Sequence, residues 1–271
     1  MAHTVSDQRL PADLPDSHTL TQVPAEYVPL LDEVFAAVEQ YNPEPDRELI
    51  TRAFVTAALL HSTQSRKSGE AYIHHPVGTA INAAELKLDS VTIAAALLHD
   101  VVEDTGTPLS WIEEQFGAEI AMLVDGVTKL TKMHFTSREE EQAENYRKMI
   151  VAMATDIRVI LIKLCDRLHN MRTLSYLEKQ KQIQKAKETL DVYAPLAHRL
   201  GIHNLKWQLE DLSFGTLHPR RYEEIQKWVA QRRADREDYV QEATAFLSEE
   251  LTGAGIKAEI RGRVKHFYSI Y

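Results

Sequence analysis

An all-α body is what this sequence predicts, with one departure near the C-terminus. Apolar residues recur at the spacing of a helical face from about residue 30 to about residue 250. Residues that start and stop helices stand at the ends of those periodic segments. Only in "IKAEIRGRVKHFYSIY" does the period change to the alternation of a strand.

Taken in order, residues 1–24 carry Pro11, Pro15 and Pro24 among polar residues without a period, and read as a flexible tail. In "LLDEVFAAVEQY" the residues Leu30, Leu31, Val34, Phe35 and Val38 share one face, and "ELITRAFVTAALLH" repeats the pattern. "HPVGTAINAAELKL" opens with Pro76, whose fixed φ suits a first turn. "DSVTIAAALLHDVVEDT", with Ser90 as cap candidate, is almost wholly apolar and reads as one central, buried helix. In "TPLSWIEEQFG", Thr107 is the cap candidate before Pro108, and Gly117 supplies the stop. Helical patterns continue through "AEIAMLVDGVTKL", "RVILIKLCDRLHNMRTL", "DVYAPLAHRLGI" and the charged "QRRADREDYVQEATAFLSEEL". After "TGAG", the alternation of Ile256, Ala258 and Ile260 predicts a strand, the opening of a second, α/β domain that the chain does not complete.

With 44% hydrophobic residues over 271 positions, the chain can bury a sizeable core. No apolar run approaches the roughly 18–20 residues that cross a bilayer, and no basic-then-apolar leader precedes the helices, so the expectation is a soluble, cytoplasmic protein without membrane contact. The single cysteine, Cys165, lies in the apolar run "VILIKLC" and reads as a buried, inert thiol. A net charge of −9 argues against nucleic-acid binding. It leaves room for an anionic small molecule, because screening confines distant charges to about 10 Å.

The chemistry concentrates in "LLHDVVEDT". Residues four apart share a helical face, so His99 stands over Glu103 and Asp100 over Asp104. Burying such groups unpaired is costly, and a divalent cation neutralises them economically. Asp166 in "LCDRLHN" and one of the adjacent pair His74 and His75 in "YIHHP" are further ligand candidates, each beside apolar sequence. Two His and two Asp make a mixed nitrogen and oxygen shell, suited to a six-coordinate ion of the manganese type rather than structural zinc. Glu103 and Asp104, one turn beyond, then remain as acid/base candidates acting on water activated by the ion. "RKSGEAY" adds Arg66, Lys67, Ser68 and Tyr72 for a substrate with several phosphates, and Asn170 and Thr173 follow Asp166 on roughly its face. His198 and His203 lack a carboxylate partner at helical spacing and read as structural.

Together, "RKSGEAYIHHP", "ALLHDVVEDT", "LCDRLHNMRTL", "YAPLAHRLGI" and "LKWQLEDLSF", in that order, closely resemble the hydrolase half of the long RelA/SpoT homologues, over about residues 25–271. The resemblance implies an HD-type helical, metal-dependent phosphohydrolase domain. It implies hydrolysis of the 3′-pyrophosphate of ppGpp and pppGpp, giving GDP or GTP and pyrophosphate, with one Mn2+ ion. Carried over by motif, the ligands are His75, His99, Asp100 and Asp166, with His74 standing where many relatives have an aliphatic residue. The same resemblance implies acid/base work for Glu103 and Asp104, and matches Arg66, Lys67, Ser68, Tyr72, Asn170 and Thr173 to positions that hold the guanosine and its phosphates. The expected organisation is a tail over 1–24, the hydrolase domain over 25–200, connecting helices over 201–232 and a truncated synthetase start over 233–271. "GRVKHFYSIY" resembles that start, so this chain is expected to lack synthetase activity; oligomerisation is left open. The rivals are an HD-type phosphohydrolase of other nucleotides and a non-catalytic alarmone-binding module.

Overall fold

A computed structural model describes residues 20–131, 156–231, 233–260 and 265–271. Among them the only strand-like pairing is an isolated bridge between Ser65 and Ala71, so the body is all-α as expected. The chain divides after Glu178 into two compact units.

The first unit contains α1 (Val28–Glu39), α2 (Arg47–Leu60), α3 (His74–Glu85), α4 (Ser90–Leu98), α5 (Val101–Asp104), α6 (Leu109–Phe116), α7 (Ala118–Thr131) and α8 (Ile157–Arg172). Of the expected tail, residues 1–19 lie outside the described residues; Leu20–Gln22 form a 3-10 turn and Val23 is buried. The apolar "TIAAALL" makes α4 the centre, every residue from Thr92 to Leu98 being buried, with α2, α3, α7 and α8 packed around it. The expected face of α1 is the one used, since Leu31, Val34, Phe35 and Val38 are buried.

Two cap assignments are corrected. Asp89, not Ser90, caps α4, its carboxylate accepting from the Thr92 amide at 2.8 Å, while the Ser90 hydroxyl accepts from the Asp46 amide. Pro108 occupies the cap position of α6, one residue past Thr107, whose hydroxyl pairs instead with that of Thr105 at 2.7 Å. Gly117 stops α6 as expected, at φ +86°.

The run from Ser90 to Asp104 is not one helix. It is interrupted at His99 and Asp100, where ψ relaxes to −8° at Asp100 before α5 begins. Adjacent side chains on a straight helix diverge by about 100°. The interruption lets two adjacent residues face one point, and His99 Nε2 lies 3.1 Å from Asp100 Oδ1.

The second unit holds α9 (Lys179–Glu188), a π-helical turn (Thr189–Tyr193), α10 (Ala194–Arg199), α11 (His203–Leu217), α12 (Pro219–Gln231), α13 (Arg233–Gly253) and α14 (Phe267–Ile270). Val192, Leu196, Leu205, Leu209 and Phe214 are buried within it. The expected strand from Ile256 is corrected: residues 256–260 pair with nothing as a strand, and Phe267–Ile270 are helical. Alternation alone does not make a strand, because its backbone groups need a partner ladder. The segment is anchored otherwise, by the Asp211 carboxylate accepting from the amides of Phe267 and Tyr268 and by His266 stacked on Trp207 at 4.3 Å.

Candidate metal centre and active site

The site lies within the first unit, where α3, the α4–α5 interruption and α8 converge. α3 and α8 are fastened to one another by Asn82, whose buried amide donates to the Cys165 carbonyl at 2.9 Å and accepts from Arg172 at 2.6 Å. That clamp fixes the register between His75, on α3, and Asp166, the residue after Cys165 on α8. Gly78 permits the same close approach, since a Cβ there would fall 1.9 Å from His169 Nδ1.

His75, His99 and Asp166, all buried, bring one ligand atom each to within 4.8 Å of one another. Asp100 adjoins them: His75 Nε2 is 3.2 Å from its Oδ2 and 3.3 Å from Asp166 Oδ1. Ninety-one positions of sequence separate His75 from Asp166, and the fold brings the four residues together. His74, only half-buried, is not in the group.

The residues fit a cation. His99 Nδ1 donates to the Ala96 carbonyl at 2.8 Å, so in the neutral ring Nε2 carries the lone pair. That nitrogen is buried without a hydrogen bond, facing Asp100 and Asp166. A lone pair opposed to two carboxylates is repulsive unless a proton or a metal lies between them. Accordingly, burial would depress the His99 ring, but Asp100 and Asp166 outweigh it and push it up to about 9 in the metal-free site. Burial likewise opposes ionisation of Asp100 and Asp166, but His99 and His75 hold the first well below the usual carboxylate range, and Lys163 and His75 hold the second there. Mixed imidazole and carboxylate donors of this kind suit a first-row divalent ion.

Of the acid/base candidates, Glu103 is half-buried on α5 and Asp104 is exposed at its end. Asp104 joins the cluster through Tyr72, whose hydroxyl lies 2.6 Å from Asp104 Oδ2 and 2.7 Å from Asp100 Oδ2. Burial and the two carboxylates push the Tyr72 phenol up, so it remains a donor. Among the remaining candidates, Arg66 Nη2 donates to Asn170 Oδ1 at 3.0 Å, and the Asn170 amide donates in turn to Asp166. Arg66 Nη1 is buried and finds no partner among the described residues. Lys67 is exposed, the Ser68 hydroxyl donates to Glu70 at 2.9 Å, and Thr173 bonds back to the His169 carbonyl at the end of α8; these three are not drawn into the cluster. His198 and His203 are exposed in the second unit, their rings 5.9 Å apart.

Sequence reasoning missed Lys163, whose ammonium donates to Asp166 Oδ2 at 2.7 Å with both side chains buried. A lone cation in "VILIKLC", three residues before a ligand, is the same signal that singled out "LLHDVVEDT". Also missed was His169, whose ring lies 5.0 Å from His75 and which burial, with the charges of His75 and Arg66, depresses to about 3. His61 stacks on Tyr72 at 4.4 Å, a contact across eleven residues that no periodicity announces.

Comparison with known proteins follows the same lines. A family model described as HD domain matches residues 53–203, more than half of the chain. A "GTP pyrophosphokinase" of Myxococcus xanthus is 50% identical over 86% of this chain and 31% of its own length. The "Bifunctional (p)ppGpp synthase/hydrolase SpoT" of Escherichia coli K12 is 48% identical over 89% of this chain and 34% of its own. A solved structure titled "A metazoan ortholog of SpoT hydrolyzes ppGpp and plays a role in starvation responses" is 28% identical, covering 60% of this chain and 93% of its own, at a TM-score of 0.46. The chain thus spans about a third of the length of the curated relatives it matches. No helix among the described residues is long and apolar enough to cross a membrane. From the motif match and the near-half identity over most of its length, the chain belongs to the HD-domain family and is a RelA/SpoT homologue.

Proposed function

We propose that this chain hydrolyses the 3′-pyrophosphate of ppGpp and pppGpp, giving GDP or GTP and pyrophosphate, as a manganese-dependent 3′-pyrophosphohydrolase. The observation that carries the reading is the buried His99 Nε2, bare of hydrogen bonds and opposed to Asp100 and Asp166. In this reading His75, His99, Asp100 and Asp166 hold the ion, which when bound supplies a Lewis acid for phosphate oxygen and for water.

The chain's own residues do the rest. Water adds to the phosphorus attached to the 3′-oxygen and gives up a proton, for which Glu103 and Asp104 are the acceptors. The 3′-oxygen leaves as a hydroxyl, taking a proton as the P–O bond breaks. Tyr72 holds Asp104 against the cluster while this happens. Arg66 Nη1, a buried donor without a partner among the described residues, suits a phosphate oxygen, with Lys67, Ser68, Asn170 and Thr173 as further contacts to the guanosine and its phosphates. The region carrying this activity is residues 25–200, with residues 201–232 connecting and 233–271 resembling a synthetase start.

The test is turnover of ppGpp and of dGTP at catalytic protein concentration with manganese. Equimolar GDP and pyrophosphate from ppGpp, with dGTP left intact, supports the reading. Preferential turnover of dGTP assigns a different nucleotide, and binding of ppGpp without product leaves a non-catalytic module.

A further inference from the structure

His61 closes α2 and is 2% exposed, yet it belongs to none of the expected site residues. Its surroundings fix its tautomer. Gln64 Nε2 donates to the Asp104 backbone carbonyl at 2.8 Å, which makes Gln64 Oε1 the free acceptor of that amide. His61 Nδ1 stands 2.7 Å from Gln64 Oε1 and is therefore the donor. Nε2 carries the lone pair, buried and without a hydrogen-bond partner among the described residues. Burial lowers the basicity of the ring further than the Gln64 bond and the nearby Asp100 and Asp104 charges restore it, so the neutral form persists at neutral pH.

Two routes lead from this one ring to Asp104. The first runs through Gln64 to the Asp104 backbone carbonyl. The second runs through Tyr72, stacked on His61 at 4.4 Å and 18°, to the Asp104 carboxylate at 2.6 Å. Asp104 itself sits at the exposed end of a four-residue helix, where nothing in α5 alone would hold its carboxylate in place. Asp104 is thus gripped at both its backbone and its side chain, and both grips begin at His61.

We propose that His61 is a positioning residue of the reaction, setting the Asp104 carboxylate against the His75, His99, Asp100 and Asp166 cluster through Gln64 and Tyr72. It touches no substrate atom and acts through the other two residues. The inference rests on the hydrolase reading for its consequence, but its geometry stands independently of which phosphate ester is cleaved.

His61→Phe keeps a ring to stack on Tyr72 and removes the Nδ1–H donor; Gln64→Leu breaks the same link from the half-buried side. Misplacement of a catalytic group by about 1 Å costs about 10²-fold in rate. Each variant should therefore lose about 10²-fold in kcat for pyrophosphate release, with KM within about twofold of wild type and bound manganese unchanged. The double variant should lose no more than either single one, because one link is broken in each case. Unchanged kcat in a folded Gln64→Leu protein, or a loss confined to KM or to metal content, overturns the proposal. Should His61→Phe not fold, the Gln64→Leu arm decides alone.

An independent readout separates this inference from the hydrolase reading. In protein labelled with 15N-histidine, His61 should show a protonated Nδ1 and an unprotonated Nε2, shifting in Gln64→Leu. The opposite tautomer overturns the inference even if ppGpp is hydrolysed. The expected tautomer in a protein that hydrolyses no ppGpp supports the His61 geometry and removes only the substrate assignment.

Discussion

Lys163→Met tests how the centre balances its charge. The Lys163 ammonium and the Asp166 carboxylate are 11% and 7% exposed and 2.7 Å apart. Removing one partner of a buried pair costs about 3–5 kcal/mol, because the other charge is left uncompensated. Asp166 keeps the Asn170 amide and the neighbouring His75, which favours the low end of that range, about 3 kcal/mol. Met follows the aliphatic stem closely, so little of the loss comes from a cavity. At about 2–4 °C per kcal/mol, the metal-free variant should melt about 6–12 °C below wild type. A bound divalent ion supplies the charge that Lys163 no longer gives, so under saturating manganese the deficit should fall to half or less. By linkage the variant then holds the ion about tenfold more tightly, since 1.4 kcal/mol is a factor of ten. The assay is thermal unfolding of stripped and manganese-saturated protein, with the ion titrated by calorimetry. Equal deficits in the two states, or weaker ion binding by the variant, would refute the claim that Lys163 and the ion share the neutralisation of Asp166.

Glu103→Gln should retain manganese and lose about 10²–10⁴-fold in turnover, whereas Asp166→Ala should come away without metal; metal analysis showing the reverse would exchange ligand and catalyst. Gly78→Ala should destabilise the protein by about 1–3 kcal/mol, because the new methyl falls 1.9 Å from His169 Nδ1 and the ring must move; an unchanged melting temperature contradicts the packing. In the metal-free site His99 is raised from 6.5 to about 9, so it binds a proton that the unfolded chain lacks across that window. Its contribution to metal-free stability is therefore full below pH 6.5 and lost as pH rises through 9. The ion needs the same nitrogen, so affinity should rise by up to about tenfold per pH unit over that window, with a proton released on binding. Calorimetry in buffers of different ionisation enthalpy reads that proton, and a flat affinity between pH 6.5 and 8.5 would refute the linkage.

Much of this was legible because the chemistry is written in apolar helices. A charged or imidazole side chain in "AALLHDVV" or "KLCDRL" has to be accounted for, and the fold brings His99, Asp100 and Asp166 together with His75. The interruption at His99 and Asp100 was not legible, since both residues keep near-helical dihedrals and no Gly or Pro marks the place. Sequence placed Ser90 at a cap where Asp89 does the work, an error of one residue between two good cap formers. The misread strand at Ile256 shows the limit of period-2 alternation, which reports a pattern of side chains but not the presence of a partner. His61 and Gln64 escaped for another reason. Their contacts run from the end of α2 to Tyr72 and Asp104, eleven and forty positions onward, and only the fold closes that distance.

The central claim is that the buried cluster is a metal centre on which alarmone hydrolysis depends. Metal-stripped protein titrated with manganese, with bound ion and pyrophosphate release from ppGpp measured on the same samples, tests it most directly. Activity should be absent at the start, rise in proportion to bound ion, level off at a single ion per chain, and be restored less well by magnesium, for which imidazole ligands are a poorer match. Full pyrophosphate release by the metal-free protein, or a loaded protein that releases none, would contradict it.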